Sequence, residues 1–268
     1  MSTAPSYSGA IPEFYDRYLG PYIFEPYAIA MAMRVSNAAP ARILEVACGT
    51  GRVTAHLRKA LPQADIIATD INADMLAIAR MRVGDAAVRW EIADAERLPY
   101  AEDSFDAVVC QFGLMFVPDK PLALRELFRV MRPGGHLFLS TWDSLEQNPA
   151  FRLANDVVAG FFPEDPPRFF LLPFSLYDEK QLTAWAYDAG FGQISITRAP
   201  LTGESASAAD AARGMLEGSP IHTYIVDRNP ALLPAIYAAL TSALARHYGA
   251  TPLISSMQAL FVDAIKLS

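Results

Sequence analysis

The sequence predicts an α/β protein built on a parallel sheet covered by helices on both faces. Three observations predict it. Between residues 42 and 142, five short apolar runs alternate with longer amphipathic segments at helical spacing. The first run ends in a turn carrying Gly49 and Gly51, with a helical pattern directly behind it. Acidic residues stand in register with three consecutive runs: Glu45 inside the first, Asp70 ending the second and Asp94 following the third.

The five runs are RILEVA (42–47), DIIATD (65–70), VRWEIA (88–93), DAVVCQF (106–112) and HLFLSTW (136–142). Between them, RVTAHLRKAL, DMLAIARMRV and KPLALRELFRVM carry the helical spacing, so strand and helix alternate as a parallel sheet requires. Asn72 is placed to cap the helix that follows the second strand. RPGGH (132–136) sets Pro and two Gly where a helix stops and the next strand begins. From 143 to 178 prolines and aromatics dominate; this segment is too apolar for a solvated linker and too broken for a long helix, and it is expected to be a lid on the sheet's edge. DEKQLTAWAYDAGF then reads as a helix closed by Gly190, followed by a strand at 193–199, a helical cap at 205–249 and a last strand at 257–266, seven strands in all. The expected organisation is a segment 1–142 holding an N-terminal helical part and the binding core, a lid insertion 143–178, and the rest of the sheet with its cap over 179–268.

Composition narrows the function classes. With 268 residues, 52% of them hydrophobic and 19% charged, the chain can bury a substantial core. A net charge of −7 and no visible Lys/Arg cluster argue against a nucleic-acid surface. The start of the chain lacks a signal peptide's basic flank and apolar core, and no stretch reaches membrane-span length, so a cytoplasmic location is expected. Cys48 and Cys110, the two cysteines, are expected to be small buried hydrophobes rather than a disulfide. The four histidines are scattered, and no metal-binding spacing occurs.

In an open parallel sheet, ligands lie beyond the carboxyl ends of the strands at the point where strand order reverses, and the turn ACGTGR sits after the first strand. A dinucleotide fingerprint asks for a third glycine, but Thr54 occupies its place. Asp70, 19 residues after Gly51, can accept from both ribose hydroxyls, and Asp94 from an exocyclic amine. Glu45, under the turn, can order the amide loop or face a ligand ammonium, and it repels a diphosphate. Each acid also has a purely structural reading: Asp70 flanking a helix, Asp94 in a turn, Glu45 paired with a buried base. Taken together they describe an adenosine pocket with extra negative charge, suited to a positively charged ligand.

At these residues the chain resembles the class I S-adenosylmethionine-dependent methyltransferases, close to the small-molecule group that includes the ubiquinone and menaquinone biosynthetic C-methyltransferases. LEVACGTGRVT, ATDINADML, ADAERLPYAEDSFDAVVCQFGLMFVPD and LFRVMRPGGHLFLST occur in family order across about residues 38 to 142. The resemblance implies a Rossmann-like seven-stranded sheet and S-adenosylmethionine as cofactor. It implies Ala47, Gly49, Thr50 and Gly51, with Glu45, around the methionine part, and Asp70 on the ribose. Ile71 and Met75 then flank adenine, Asp94 and Ala95 meet its edge, and Gln111 and Phe112 lie nearest the sulfonium. Segments before the first strand often fold over the cofactor in this family, which makes Tyr15 or Tyr22 a candidate for reaching its carboxylate.

The reaction this implies is an in-line displacement, in which alignment and exclusion of water are the protein's main tasks. An acceptor with an acidic proton also benefits from a general base, and His222, read as lying on a loop after Pro220, is the candidate; His56, His136 and His247 are expected to be structural. Phe161, Phe162, Phe169, Phe170, Phe174 and Tyr177 suggest an apolar or aromatic small-molecule acceptor for O-, N- or C-methylation. A homodimer is left open. The D/N-P-P-Y/F motif of enzymes acting on nucleobase or glutamine amino groups is replaced after the fourth strand by QFGL, and DPPRF at 165–169 is a chance likeness. Two rivals stay in view: an NAD-dependent oxidoreductase, against which Thr54 and Glu45 weigh, and a binding module that transfers nothing.

Overall fold

The computed structural model describes residues 7–84 and 88–267; the first six residues of the amino-terminal stretch read above lie outside it. The chain opens with a short helix α1 (Ile11–Phe14) that runs into a π-helix (Tyr15–Phe24) and then α2 (Glu25–Asn37). The core follows as β1 (Arg42–Val46), α3 (Arg52–Ala60), β2 (Asp65–Asp70), α4 (Ala73–Val83), β3 (Val88–Ile92), β4 (Phe105–Gln111), α5 (Lys120–Val130) and β5 (Met131–Trp142). Then come α6 (Pro149–Gly160), α7 (Glu179–Asp188), β6 (Phe191–Ser205), α8 (Ala208–Glu217), α9 (Ile221–Arg228), α10 (Leu233–Tyr248) and β7 (Leu253–Lys266).

The seven strands form one sheet in the order β3-β2-β1-β4-β5-β7-β6. Neighbours from β3 to β5 pair in parallel, and β7 runs antiparallel to both β5 and β6. The order reverses between β1 and β4, whose carboxyl ends define the crevice where an open α/β sheet binds its ligand. Ile43 and Leu44 in β1 and Ala107, Val108 and Val109 in β4 are fully buried, as near-continuous apolar strands with helices on both faces must be. Asn72 caps α4 by accepting from the amides of Asp74 and Met75, as its position predicts. Gly190 closes α7 at φ +106°, and a Cβ there would stand 2.8 Å from the Phe128 ring. Both cysteines are buried and free.

The structure moves several boundaries. RPGG is an irregularity inside the β4–β5 pairing rather than a turn before it, because Met131 already pairs with Phe105 before His136 pairs with Ala107. The segment 143–178 holds the twelve-residue helix α6; the proline break begins only at residue 161. The strand expected at 193–199 runs from 191 to 205, because antiparallel pairing with β7 continues past Pro200, which an edge strand tolerates. For the same reason β7 begins at Leu253, and the cap is three helices beginning at Ala208. α8 packs on the π-helix and on α10, and α10 also packs on α6, so residues far apart in sequence form one layer beyond the strand ends.

Candidate active site

The site grows out of the turn after β1. Ala47 at φ +55°, Gly49 at +56° and Gly51 at +76° wind the backbone tightly before α3 begins. A non-glycine residue at positive φ is costly and persists where the surroundings over-determine it. Ala47 is held so by its neighbour Gly113, where a Cβ would stand 2.4 Å from the Ala47 Cβ and 3.0 Å from Cys110 Sγ. The two turns of the switch point therefore touch. Phe112, beside Gly113, also takes positive φ, at +54°, and its amide donates to the Ser140 carbonyl at 3.0 Å.

Asp70 ties the end of β2 to this turn. Its Oδ2 accepts from the Gly49 amide and its Oδ1 from the Asn72 amide, both at 2.8 Å. Burial raises its pKa, and the amides of Asn72, Gly49 and Ile71 pull it back toward the charged form. Three amides leave part of the carboxylate's acceptor capacity free, and Asp70 lines the cavity, where a ribose hydroxyl needs such an acceptor. Asp94 Oδ1 accepts from the Glu96 amide at 2.9 Å, a turn contact that also fixes the carboxylate at the rim.

Beneath the turn, Glu45 is 2% exposed, and its Oε2 accepts from the Thr54 hydroxyl at 2.6 Å. Burial pushes the Glu45 carboxyl up to about 8. This corrects the expected charge of the pocket: at neutral pH Glu45 favours its protonated form, and its partner is a hydroxyl rather than a base. Thr54 thus fills the place of the third glycine with a side chain committed to Glu45. Close helix packing falls to Gly51, where a Cβ would stand 2.9 Å from the Ala79 Cβ of α4. Gly51 does not line the cavity; its part is to let α3 and α4 meet.

A cavity of about 230 Å³ opens over these strand ends. Of the candidates, Glu45, Ala47, Gly49, Thr50, Asp70, Ile71, Met75, Asp94, Ala95, Gln111, Phe112 and Tyr15 line it. Ile71 is 69% exposed at the mouth while Met75 is 5% exposed below it, a spacing that suits the two faces of a flat base. Gln111 Oε1 is buried without a protein partner, an acceptor available to a ligand donor. Tyr15 stands in the cavity among Tyr7, Arg52 and Asp70, its hydroxyl held protonated chiefly by burial.

Two candidates lie elsewhere. Tyr22 is 1% exposed, and its hydroxyl meets Ser255 Oγ at 2.6 Å, away from the cavity. The physical reason is the π winding of Tyr15–Phe24, whose closing bond runs from the Glu25 amide to the Gly20 carbonyl. An α-helix puts residues seven apart on one face; the wider coil brings Tyr15, Leu19, Ile23 and Phe24 inward and turns Tyr22 to β7. His222 sits in the first turn of α9, not on a loop, and borders neither this cavity nor the next.

A second, smaller cavity of about 50 Å³ adjoins the first. The two share five aromatic side chains, Tyr7, Tyr15, Phe24, Phe112 and Phe116. Trp142 stacks on Phe112 with centroids 3.9 Å apart, and Phe151, Phe169, Phe170 and Phe174 close the far side. Among the described residues that line this slot, none is Asp, Glu, His, Lys or Arg. Of the expected lid aromatics, Phe169, Phe170 and Phe174 reach it, and Phe161, Phe162 and Tyr177 do not. Sequence reasoning missed Arg52, Phe24, Tyr7 and Trp142. Arg52, immediately after Gly51, carried a signal, since a cation in the first turn of a helix runs against its dipole and calls for a partner.

Comparison with known proteins bears on this geometry. A methyltransferase-domain family model matches residues 44–139, the span from β1 to β5 that supplies the strand ends. The demethylmenaquinone methyltransferase of Deinococcus radiodurans is 37% identical over 140 residues, covering 52% of this chain and 56% of that one. The chain thus spans about half the length of that relative. The demethylmenaquinone methyltransferase of Clavibacter sepedonicus is 32% identical over 180 residues, covering 63% of this chain and 72% of that one. The chain belongs to the class I S-adenosylmethionine-dependent methyltransferases. The YcgJ protein of Bacillus subtilis, 18% identical, shares the fold with a TM-score of 0.57 over 91% of this chain and 99% of that one.

The cofactor of this family is S-adenosylmethionine, and the donor set fits it. Amides and carbonyls of a glycine turn at a helix N-terminus suit an amino-acid end. The Asp70 lone pairs suit a ribose, and Ile71 with Met75 suits a base. In the methyltransferase frame, the aromatic wall shared by the two cavities lies between the cofactor's site and the slot.

Proposed function

We propose that the chain transfers a methyl group from S-adenosylmethionine to an uncharged apolar or aromatic small molecule seated in the aromatic slot. The observation that carries this reading is the wall of five aromatic side chains common to both cavities. Burying a charge there without a partner is costly, so a phosphate- or carboxylate-bearing group is disfavoured inside the slot. Bound in the first cavity, the cofactor supplies an electrophilic methyl on a positively charged sulfur.

The protein's part is geometric. Gly49, held by Asp70, fixes the turn; Phe112 and its stacked partner Trp142 fix the floor of the slot. Tyr7, Tyr15 and Phe24 close over both cavities and keep water out, so that acceptor and methyl meet in line. No proton is routed through His222. The titratable groups of the slot are the Tyr7 and Tyr15 hydroxyls, and burial holds both protonated, so neither is a base at neutral pH. The reading therefore favours an acceptor atom that attacks without a side-chain base.

The test is release of S-adenosylhomocysteine from the purified protein and S-adenosylmethionine, across acceptors matched in ring size but differing in charge. Turnover of the uncharged aromatic members, lost when a carboxylate is added at the end that enters the slot, supports the reading. Turnover confined to the charged members contradicts it.

A further inference from the structure

The strap over the two cavities, residues 7–24, is held down by charge at one point. Asp16, on the π-helix, pairs through Oδ1 with Arg82 Nη2 of α4 and, at 3.2 Å, with Arg52 Nη2 of α3. Arg52 also donates to the Asp16 carbonyl at 2.6 Å and to Glu25 Oε2 at 2.8 Å. Arg82 Nε donates at 2.9 Å to the carbonyl of Thr50, in the cofactor turn itself. Gly20 makes room for this arrangement, since a Cβ there would fall 1.9 Å from Arg52 Nη2. One carboxylate of the strap thus joins Arg52, which lines the cavity, and Arg82, which holds the cavity's turn. The pairs are shielded but not sealed: the Arg52 and Asp16 side chains are 11% and 21% exposed.

We propose that Asp16 is a positioning residue. By drawing Arg52 and Arg82 together it clamps the strap onto the cofactor turn, and it sets how fast the spent cofactor leaves. Because Tyr7, Tyr15 and Phe24 line both cavities, an open strap also dismantles the wall of the slot, so cofactor exchange and a formed acceptor site exclude one another. This rests on the family's cofactor and not on the identity of the acceptor.

Surface plasmon resonance on the immobilised full chain, reading S-adenosylhomocysteine dissociation at rising salt, tests it. In the wild type the off-rate is expected to climb from about 0.05 to about 0.5 M NaCl, as screening weakens partly exposed pairs. Asp16→Asn is expected to release the ligand about tenfold faster at low salt, equivalent to about 1.4 kcal/mol, and to lose that salt dependence. Asp16→Glu is expected to restore part of both. Leu19→Ala, which loosens the strap's apolar contact and leaves the ion pairs in place, is expected to speed release while keeping the salt dependence. An Asp16→Asn off-rate within about twofold of wild type, or one that retains the wild-type salt slope, overturns the proposal. A wild type that binds no S-adenosylhomocysteine overturns the cofactor site along with it.

Discussion

The two cavities are built from different materials. The first is made of strand ends: β1, β2, β3 and β4 each deliver a short turn at the same edge of the sheet, and backbone amides, three acidic side chains and two glycines define it. The adjoining slot is made largely of what packs over that edge, with rings contributed by the strap, by the segment after β4, by β5, by α6 and by the segment that follows it. The first depends on hydrogen bonds whose partners lie in fixed register. The second depends on packing between segments with no shared period. A wall of five rings is common to both, yet substitutions should separate them.

The largest expected effect lies in the slot. Phe170, 1% exposed, packs against Phe151 and Phe169, and Phe170→Ala is expected to cost about 3–5 kcal/mol of stability in denaturant unfolding. Below its melting point, calorimetry should still find S-adenosylhomocysteine affinity close to wild type. A large loss of affinity would show that the two regions fold and bind as one.

Next comes the strand-end cavity. Asp70→Asn removes the charge that the Gly49 and Asn72 amides point to and that a ribose would share. Losing charge-assisted hydrogen bonds costs about 1.5–3 kcal/mol, so the S-adenosylhomocysteine dissociation constant should rise roughly 10- to 100-fold, with little change in unfolding cooperativity. An unchanged constant would reduce Asp70 to a structural cap.

Thr54→Val tests the layer beneath. It leaves the Glu45 carboxyl buried without its hydroxyl donor, at a cost of about 1–3 kcal/mol in stability. Thr54→Ser should recover most of it, and an equal loss in both variants would point to packing instead.

The smallest signal is a slope. Burial lifts the Glu45 carboxyl from 4.5 to about 8, so the native state holds its proton more tightly than the unfolded chain does. The stability this contributes is fully present below about pH 4.5 and is lost as pH rises through about 8. Glu45→Gln should flatten that decline in a pH series of melting curves. A wild type and variant that run parallel from pH 5 to 8 would mean that Glu45 is ionised in the folded protein.

What the sequence disclosed divides along the same line. The core strands, their helices, the Asn72 cap and the placement of Glu45, Gly49, Asp70 and Asp94 at strand ends follow from local rules, because strand ends in a parallel sheet converge whatever surrounds them. The other cofactor-site candidates rest on the resemblance, and twelve of all fourteen line the cavity. Gly51 was legible as a glycine but not in its purpose, since its contact with Ala79 is tertiary. Tyr22 stands beside Tyr15 as a candidate only through the resemblance, and nothing local in YDRYLGPYIF announces the π-helix that turns it away. Arg52 was passed over because its partners, Asp16 and Glu25, lie 36 and 27 residues earlier. His222 drew notice by its chemistry alone, and its place on α9 is set by the cap's packing. The extent of β6 likewise follows from its long pairing with β7, which no run of residues within β6 could reveal.

The central claim is that the strand-end cavity takes S-adenosylmethionine and its product, with the methionine end on the Gly49 turn. Side-by-side calorimetric titration of the purified protein with S-adenosylhomocysteine and NADH tests it most directly. The account predicts binding of S-adenosylhomocysteine in the micromolar range, and no measurable heat from NADH, whose dinucleotide fingerprint lacks its third glycine here, Thr54 standing in that place. Binding of NADH with S-adenosylhomocysteine inert would contradict it.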